Sequence, residues 1–205
     1  MAMINDLENY FSGLVPWRSE LLRKLEAEAR QERIPIVGPV VGELLFILAR
    51  AMNARRILEL GTATGYSAIY LAQAVAPGLG RVITLEVDPA MAQRARDNIA
   101  AAGLSAQVEV QVGDALALMD GMAEPFDFIF MDIDKEGYLP ALTRCHRLLR
   151  PGGLLLVDNT GFQGASDFNR ELAQDPGWRW VNLLARLPQH SPELDGLALA
   201  VKILP

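Results

Sequence analysis

Residues 58–67, Leu-Glu-Leu-Gly-Thr-Ala-Thr-Gly-Tyr-Ser, carry more structural information than any other part of this chain. The largely apolar run 57–60 is typical of a buried parallel strand. Gly61 and Gly65 then bracket a tight turn in which the backbone can approach a ligand, and an amphipathic helix is predicted from about Tyr66. A strand, a glycine turn and a helix in this order form the nucleotide site at the carboxyl end of the first strand of an open α/β sheet.

The spacing of residues in the turn indicates which kind of nucleotide it binds. A dinucleotide-binding fingerprint has glycine at its first, third and sixth positions, whereas this turn has Ala63 third and Tyr66 sixth. No Lys-Ser or Lys-Thr pair follows to complete a phosphate-binding P-loop. The turn is therefore expected to bind a nucleoside that carries no phosphates.

The composition indicates one ordinary globular domain. The chain has 205 residues, which is long enough for one domain with a full core and short for two domains. Apolar residues make up 51% of it and charged residues 21%, as in ordinary globular proteins. The net charge of −6 argues weakly against a nucleic-acid partner, since phosphate binding needs a basic surface. The single cysteine, Cys145, excludes an internal disulfide and a cysteine-based zinc cluster.

The expected location of the protein is the cytoplasm. No apolar run reaches the roughly 18 residues that a membrane-spanning helix needs, so no membrane partner is expected. Residues 1–10 carry Asp6 and Glu8 and lack a basic segment before an apolar one, so no secretory signal is expected either.

Two helices are predicted before the first strand, and together they form an N-terminal helical segment, residues 1–52. The first helix is predicted from apolar residues at helical spacing among charged ones, namely Leu14, Trp17, Leu21, Leu22 and Leu25. Pro35 and Pro39 interrupt this pattern, because proline cannot continue a helix interior. The second helix is predicted from about Val40 to Met52.

Residues 53–205 alternate between strand and helix patterns and are expected to form a Rossmann-like core within the same single domain, residues 1–205. The strand patterns are Arg56–Leu60, Arg81–Val87, Val108–Val112, Phe126–Met131 and Leu154–Val157. The helix patterns are Ser67–Val75, Pro89–Ala102, Ala115–Met119 and Tyr138–Leu149. Two further strands, predicted at 178–185 and 197–203, are separated only by a loop and should form an antiparallel hairpin. The predicted fold is α/β: a doubly wound, mostly parallel sheet of seven strands that ends in this hairpin.

Acidic residues follow several predicted strands, at the edge where such sheets bind ligands. Glu86 lies about 25 positions after Gly61, the usual separation for a carboxylate that accepts both ribose hydroxyls, although a solvated loop acid is the alternative. Asp88 is the better helix cap there, because a proline follows it. Asp114 either caps the next helix or lies beside an adenine pocket. Ser67 is either an N-terminal helix residue or a donor to a carboxylate of the ligand.

Asp132, Asp158 and Asn159 follow the fourth and fifth predicted strands. Three oxygen donors at adjacent strand ends suit a hard divalent cation such as Mg²⁺, whereas two neighbouring carboxylates alone would repel each other. The alternative is that Asp158 and Asn159 only form a turn. Lys135, in the same loop as Asp132, is either a solvated surface charge or, when desolvated beside a metal, a base.

Together these residues resemble the class I S-adenosylmethionine-dependent methyltransferases and, within them, the cation-dependent catechol and caffeoyl-CoA O-methyltransferase family. The resemblance rests on residues 58–67, on Met-Asp-Ile-Asp-Lys-Glu-Gly-Tyr at 131–138 and on Val-Asp-Asn-Thr at 157–160, with weaker support from Leu-Asp-Gly-Leu at 194–197. It runs from about Pro35 to the C-terminus. The glycine turn specifies only the superfamily, whereas the two acidic motifs in this order are far more specific and favour the metal site over the turn.

The resemblance implies a role for each matching residue. It places cofactor contacts at Glu59, Gly61, Thr62, Gly65, Ser67, Glu86, Val87, Asp114, Ala115, Asp132 and Asp134. It places metal ligands at Asp132, Asp158 and Asn159, and catalytic roles at Asp132 and at Lys135, the latter as general base. Mg²⁺ is the expected metal, with Ca²⁺ or Mn²⁺ as alternatives. Gln163 departs from the plant enzymes, which have a substrate-contacting asparagine there.

The implied function is transfer of a methyl group from S-adenosylmethionine to a hydroxyl of a small, catechol-like aromatic substrate. The alternatives are a methyltransferase of the same family acting on a hydroxylated tRNA base, a nicotinamide-dependent oxidoreductase, and a non-catalytic S-adenosylmethionine-binding protein. A basic patch on the N-terminal helices would favour the tRNA substrate, and its residues would be Arg18, Arg23, Lys24, Arg30 and Arg33. The resemblance also implies a homodimer. His146 and His190 are interpreted as packing or surface residues rather than ligands.

Overall fold

The computed structural model describes residues 3–75 and 78–203, and a seven-stranded sheet forms its centre. The strands are β1 (Arg56–Leu60), β2 (Arg81–Glu86), β3 (Val108–Val112), β4 (Phe126–Met131), β5 (Leu149–Val157), β6 (Trp178–Arg186) and β7 (Leu194–Lys202). Their order across the sheet is β3-β2-β1-β4-β5-β7-β6. The first five strands run parallel, and β7 is antiparallel to both β5 and β6. The predicted fold class is therefore confirmed.

Helices cover both faces of the sheet. They are α1 (Leu7–Ser12), α2 (Glu20–Glu32), α3 (Gly38–Ala51), α4 (Tyr66–Ala74), α5 (Pro89–Ala101), α6 (Ala115–Asp120), α7 (Tyr138–Leu148) and α8 (Ser166–Gln174). Two short 3₁₀ turns lie at Lys135–Gly137 and Gln163–Ala165. Within the described ranges, none of the helices has the length and hydropathy needed to cross a bilayer.

The core consists of two apolar layers, one on each side of the sheet. Alternate residues of a strand point to opposite faces, so Ile57 of β1 packs in the layer with α3, α4 and α5, whereas Leu58 packs in the layer with α6, α7 and α8. β1 and β4 are buried along almost their whole length, as expected for central parallel strands. This burial fixes the strand ends, and therefore the residues that follow them.

The N-terminal segment differs from its prediction. Leu14 and Trp17 do not belong to a helix; they lie in the connection between α1 and α2 and are 56% and 83% exposed. The side chain of Ser19 accepts a hydrogen bond from the Leu22 N–H, and this cap starts α2 only at Glu20. The helical spacing of Leu14 and Trp17 therefore did not reflect a helix.

The boundaries of other elements differ by a few residues. α3 begins before Pro39 because proline is tolerated in the first turn of a helix, where its missing N–H is not needed. β5 begins at Leu149 rather than Leu154, and the strand pairing shifts register between Phe126 and Phe128. The loop between β6 and β7 is shorter than predicted and spans residues 187–193.

Candidate active site

Two glycines shape the turn between β1 and α4. Gly61 has a φ of 91°, and a Cβ there would overlap the carbonyl oxygen of Asp132, directly after β4. Gly65 has a φ of 82°, and a Cβ there would lie 3.2 Å from the Cβ of Ala95 on α5. Both positions need glycine, because a side chain would strain the left-handed backbone and push neighbouring elements apart.

Glu86, at the end of β2, holds the same turn from its other side. Its Oε2 accepts hydrogen bonds from the backbone N–H groups of Thr62 (3.2 Å) and Ala63 (2.8 Å). Its Oε1 accepts one from the Asp88 N–H (3.0 Å), and Asp88 caps α5 as predicted, with Oδ1 accepting from Ala90 at 2.7 Å. Glu86 therefore supports the turn as well as facing the ligand space in front of it.

A cavity of about 580 Å³ opens at the carboxyl ends of the strands. It brings together twelve of the predicted site residues: Gly61, Thr62, Ser67, Glu86, Val87, Asp114, Ala115, Asp132, Asp134, Lys135, Asp158 and Asn159. Two residues predicted as cofactor contacts, Glu59 and Gly65, do not line it. Asp114 lines the cavity and also caps α6, because its Oδ1 accepts a hydrogen bond from the Ala117 N–H at 2.8 Å.

Glu59 is fully buried on β1, two residues before Gly61. Thr84 Oγ1 donates a hydrogen bond to its Oε2 at 2.6 Å, whereas Oε1 has no hydrogen-bond partner within the described part of the chain. Burial raises the pKa of Glu59 to about 7. The Ser67 and Thr84 hydroxyls lower this pKa only in part, so a cationic donor placed beside Oε1 would stabilise the charged carboxylate further.

The polar residues after β4 and β5 lie side by side. Met131, the last residue of β4, is in register with the last residues of both β1 and β5. The backbone N–H of Asp158 donates to the Met131 carbonyl at 3.0 Å, and that of Asp132 donates to the Leu60 carbonyl at 2.9 Å. The sheet therefore places the two carboxylates at adjacent strand ends, as the sequence predicts.

The Lys135 ammonium lies between two of the predicted metal ligands. Its Nζ is 3.2 Å from Asp132 Oδ1 and 2.9 Å from Asn159 Oδ1. It is also 2.9 Å from the Tyr138 hydroxyl and 3.1 Å from the Ile133 carbonyl oxygen. An ammonium group has three hydrogens to donate, so four oxygens at this range mark a point that strongly attracts positive charge.

The environment of Asp132 disfavours its charge. Burial and the neighbouring Asp158 carboxylate raise the pKa of Asp132 to about 6, against the attraction of the Lys135 ammonium. Added positive charge would relieve the repulsion between the two carboxylates. This is the electrostatic situation in which a bound cation stabilises the site.

The side chain of Asn159 has a fixed orientation. Its backbone is left-handed, with a φ of 51°, and its Nδ2 donates to Asp195 Oδ2 at 2.7 Å and to the Ser191 carbonyl at 3.3 Å. Asp195 is itself held by the Gly161 N–H, which donates to Oδ1 at 3.1 Å. These contacts leave Oδ1 of Asn159 facing Lys135, so the oxygen and not the nitrogen of the amide is presented to the cavity.

His190 belongs to the site, and the sequence interpretation of it as a packing or surface residue was incomplete. Its Nε2 lies 3.0 and 2.8 Å from the two carboxylate oxygens of Asp158, and both side chains are 1% exposed. Burial lowers the pKa of His190, but Asp158 and the Pro192 carbonyl outweigh this effect and the net pKa is raised. Only Leu-Asp-Gly-Leu at 194–197 hinted that this loop reaches the site. His146 lies elsewhere, with its ring against Trp178.

The connection between α2 and α3 also reaches the cavity. Residues 34–37, between α2 and α3, line it. Tyr66, at the start of α4, donates a hydrogen bond at 2.7 Å to the buried Glu26 of α2. Arg18 binds the same carboxylate through two nitrogens, at 2.9 and 3.0 Å. This buried network connects α2 to the helix that follows the glycine turn.

Comparison with known proteins places the chain in a family. The family model described as O-methyltransferase matches residues 15–174. A catechol O-methyltransferase of Niastella koreensis is 34% identical, with 97% of each chain covered. A caffeoyl-CoA O-methyltransferase of Petunia hybrida is 34% identical over 60% of this chain and 53% of its own length.

Solved structures of similar proteins agree with this assignment. The O-methyltransferase TomG of Streptomyces achromogenes, solved in complex with SAM, has a TM-score of 0.86 and 33% identity, with 98% of this chain and 97% of TomG covered. An O-methyltransferase of Bacillus cereus, solved in complex with SAH, has a TM-score of 0.85 and 32% identity, with 96% of each chain covered. The family predicted from the sequence motifs is confirmed: this chain belongs to the O-methyltransferase family, together with the catechol and caffeoyl-CoA O-methyltransferases.

Proposed function

We propose that the chain transfers a methyl group from S-adenosylmethionine to one hydroxyl of a small aromatic substrate with two adjacent hydroxyls, with the help of a divalent cation. One observation carries the proposal: a single cavity is lined both by the glycine turn and by Asp132, Lys135, Asp158 and Asn159. A methyl donor at the turn and a hydroxyl pair at the acidic residues would share this cavity, as direct methyl transfer requires.

The part of the cavity at the glycine turn suits S-adenosylmethionine, which supplies an electrophilic methyl group when bound. Glu86 would accept the ribose hydroxyls, and Asp114 and Ala115 would lie beside the adenine. Ser67 would donate to the carboxylate of the methionine part. Buried Glu59 does not line the cavity but lies two residues before Gly61, and its Oε1 supports this fit because a methionine ammonium is the kind of donor that it lacks.

The other part of the cavity suits a hard cation such as Mg²⁺. Asp132, Asp158 and Asn159 offer two carboxylates and an amide oxygen, the donor types that Mg²⁺ and Ca²⁺ prefer. The third oxygen of this set comes from an asparagine. Among residues 3–75 and 78–203, no three histidine, cysteine or acidic side chains lie together in a way that could hold a metal ion. The Lys135 ammonium supports the fit instead, since a cation of this chain already lies between Asp132 and Asn159.

In the proposed mechanism the cation supplies Lewis acidity to the substrate oxygens when bound. Asp132, Asp158 and Asn159 would hold the cation, and Lys135, once its ammonium has lost a proton, would accept the proton of the hydroxyl that is methylated. The ring of Phe162, 44% exposed, has its centroid 5.8 Å from Lys135 Nζ. An apolar ring at this position supports an aromatic substrate.

We place the protein in the cytoplasm.

The other functions considered from the sequence have less support. Membership of the O-methyltransferase family sets the oxidoreductase aside. A tRNA substrate would need a basic patch on the N-terminal helices, but Arg18 is bound to Glu26 and Lys24 lies 3.7 Å from Glu28. A protein that only binds the cofactor would not need Lys135 held beside two proposed metal ligands.

We also propose a homodimer. Helix α1 buries none of its residues, and Tyr10 and Phe11 are about half exposed. Strand β6 lies at the edge of the sheet and exposes Trp180, Val181, Leu183 and Leu184. A long apolar edge strand is usually covered. Sedimentation velocity should give a dimer for the wild type and a monomer for Leu184→Lys; a monomeric wild type at micromolar concentration would contradict the proposal.

Methyl transfer from radiolabelled S-adenosylmethionine to catechol and to phenol tests the proposed function. We expect transfer to catechol in Mg²⁺, at least about tenfold less to phenol, which cannot chelate, and loss of transfer after treatment with EDTA. Asp132→Asn should lose activity but still bind the cofactor, whereas Asp97→Asn, an exposed change on α5, should behave as wild type. Full activity in EDTA, or equal transfer to both substrates, would refute the metal role.

A further inference from the structure

We propose that His190 is a positioning residue that fixes the Asp158 carboxylate toward the cation expected at Asp132, Asp158 and Asn159. The inference rests on the proposed function, since it concerns the same cation. It adds a residue from the β6–β7 loop that lies 32 positions from Asp158 and matches none of the sequence motifs.

The contact between His190 and Asp158 is direct and shielded from solvent. Nε2 lies 3.0 Å from Oδ1 and 2.8 Å from Oδ2, and each side chain is 1% exposed. The Asp158 Oδ1 also accepts a hydrogen bond from the Asn159 N–H at 2.9 Å. A carboxylate has about four lone-pair sites, so Oδ2 keeps acceptor capacity for a cation while the imidazole restrains its rotation.

The imidazole is held from its other end as well. Its Nδ1 lies 2.5 Å from the Pro192 carbonyl oxygen, and the His190 backbone N–H donates to the Leu187 carbonyl at 3.0 Å. The ring therefore cannot turn without breaking contacts inside its own loop. A rigid hydrogen-bond partner is what orients a metal-binding side chain, and such partners typically change metal affinity 10- to 100-fold.

The same loop and the first residues of β7 also hold Asn159, the neighbouring predicted ligand. Asn159 Nδ2 donates to the Ser191 carbonyl at 3.3 Å and to Asp195 Oδ2 at 2.7 Å. Residues 190–195 therefore contact two consecutive predicted ligands, whereas Asp132 is held by Lys135 from a different element. The β6–β7 loop therefore orients the side chains of Asp158 and Asn159, two of the three residues proposed to bind the cation.

Calorimetric titration with Mg²⁺ in the presence of S-adenosylmethionine tests the proposal without measuring turnover. His190→Ala should weaken Mg²⁺ binding about 10- to 100-fold and leave cofactor affinity within about twofold of wild type. His190→Gln keeps a side-chain N–H donor and should recover part of the loss, which a purely space-filling role would not produce. His146→Gln, at the other histidine of the chain, is the matched control and should bind Mg²⁺ as wild type does.

A second readout reports on the contact itself. In ¹⁵N spectra of the imidazole nitrogens, with His146→Gln used for assignment, Asp158→Asn should shift the Nε2 resonance of His190. The proposal is overturned, and the proposed function stands, if His190→Ala binds Mg²⁺ as tightly as wild type. The same holds if Asp158→Asn leaves the chemical shift of His190 Nε2 unchanged. If wild type itself binds no Mg²⁺, the metal role in the proposed function fails and this proposal fails with it.

Discussion

Glu59→Gln should make the ligand-free protein less sensitive to pH and weaken its binding of S-adenosylmethionine. Glu59 is fully buried and has one carboxylate oxygen without a partner within the described residues. Glutamine has nearly the same shape but cannot ionise. The charge of Glu59 therefore costs folding stability, and we expect the same charge to contribute cofactor affinity.

The size of the stability effect follows from the pKa. Burial raises the pKa of Glu59 from 4.5 to about 7, and one pKa unit corresponds to about 1.4 kcal/mol, so about 3 kcal/mol depends on this proton. Between pH 4.5 and 7 the folded state keeps the proton while the unfolded state has released it. The contribution of Glu59 to the free energy of unfolding therefore falls as pH rises through this window and stays low above pH 7. In Glu59→Gln this contribution should be absent.

The affinity effect has its own magnitude. A hydrogen bond between an ionised carboxylate and an ammonium contributes about 1.5–3 kcal/mol when removed from water. Glu59→Gln should therefore bind S-adenosylmethionine roughly 10- to 100-fold more weakly at pH 8.

Urea unfolding of the ligand-free protein from pH 5 to 8, together with calorimetry of cofactor binding at pH 8, measures both quantities. Glu124→Gln makes the same chemical change on an exposed side chain paired with Arg56 and should alter neither. An identical pH dependence of unfolding in wild type and Glu59→Gln would refute the raised pKa. Equal cofactor affinity would refute the role of Oε1 as acceptor for the ammonium.

Three further substitutions test other parts of the site. Lys135→Met should lower kcat by about 10²- to 10⁴-fold with little change in cofactor affinity by calorimetry, and a wild-type kcat would remove Lys135 from the mechanism. Tyr66→Phe should lower the free energy of unfolding by about 1–2 kcal/mol in urea, because the buried Glu26 loses a donor at 2.7 Å; an unchanged midpoint would contradict this. Gly61→Ala should cost at least about 2 kcal/mol more than Gly103→Ala, since both have a left-handed backbone but only Gly61 has a carbonyl oxygen where the Cβ would lie. Thermal unfolding that gives equal losses for the two alanines would exclude the overlap.

The fold could be predicted where an apolar run is closed by a local turn signal. β1, β3 and β4 have the predicted bounds, because each run is bounded by glycine, acidic or proline residues that stop it. The predicted start of β5 was wrong because a contact with another strand extends it. Pro151 and Gly152 resemble a loop in sequence, yet pairing of Leu149 with Phe126 continues the strand across them.

The site could be predicted only where its residues are close in sequence or at strand ends. Asp132 and Asp158 become neighbours because parallel strands end at one edge, a rule that needs no coordinates. The contact of His190 with Asp158 and that of Tyr66 with Glu26 join residues 32 and 40 positions apart. Both depend on how a loop and a helix fold back onto the sheet, and no local pattern specifies that.

The two parts of the site are supported by different kinds of structure, and this difference bears on how the family varies. The part proposed for the cofactor is determined by backbone geometry at Gly61 and by Glu86 bound to the turn, so few changes are tolerated there. Segments outside the sheet also line the cavity, namely residues 34–37 and Ser191 of the 187–193 loop, and we expect the methyl acceptor to lie against them. Loops tolerate substitution better than buried strand ends. Changes of methyl acceptor between relatives should therefore concentrate in these two segments, and exchanging them should alter KM for the acceptor while leaving cofactor affinity unchanged.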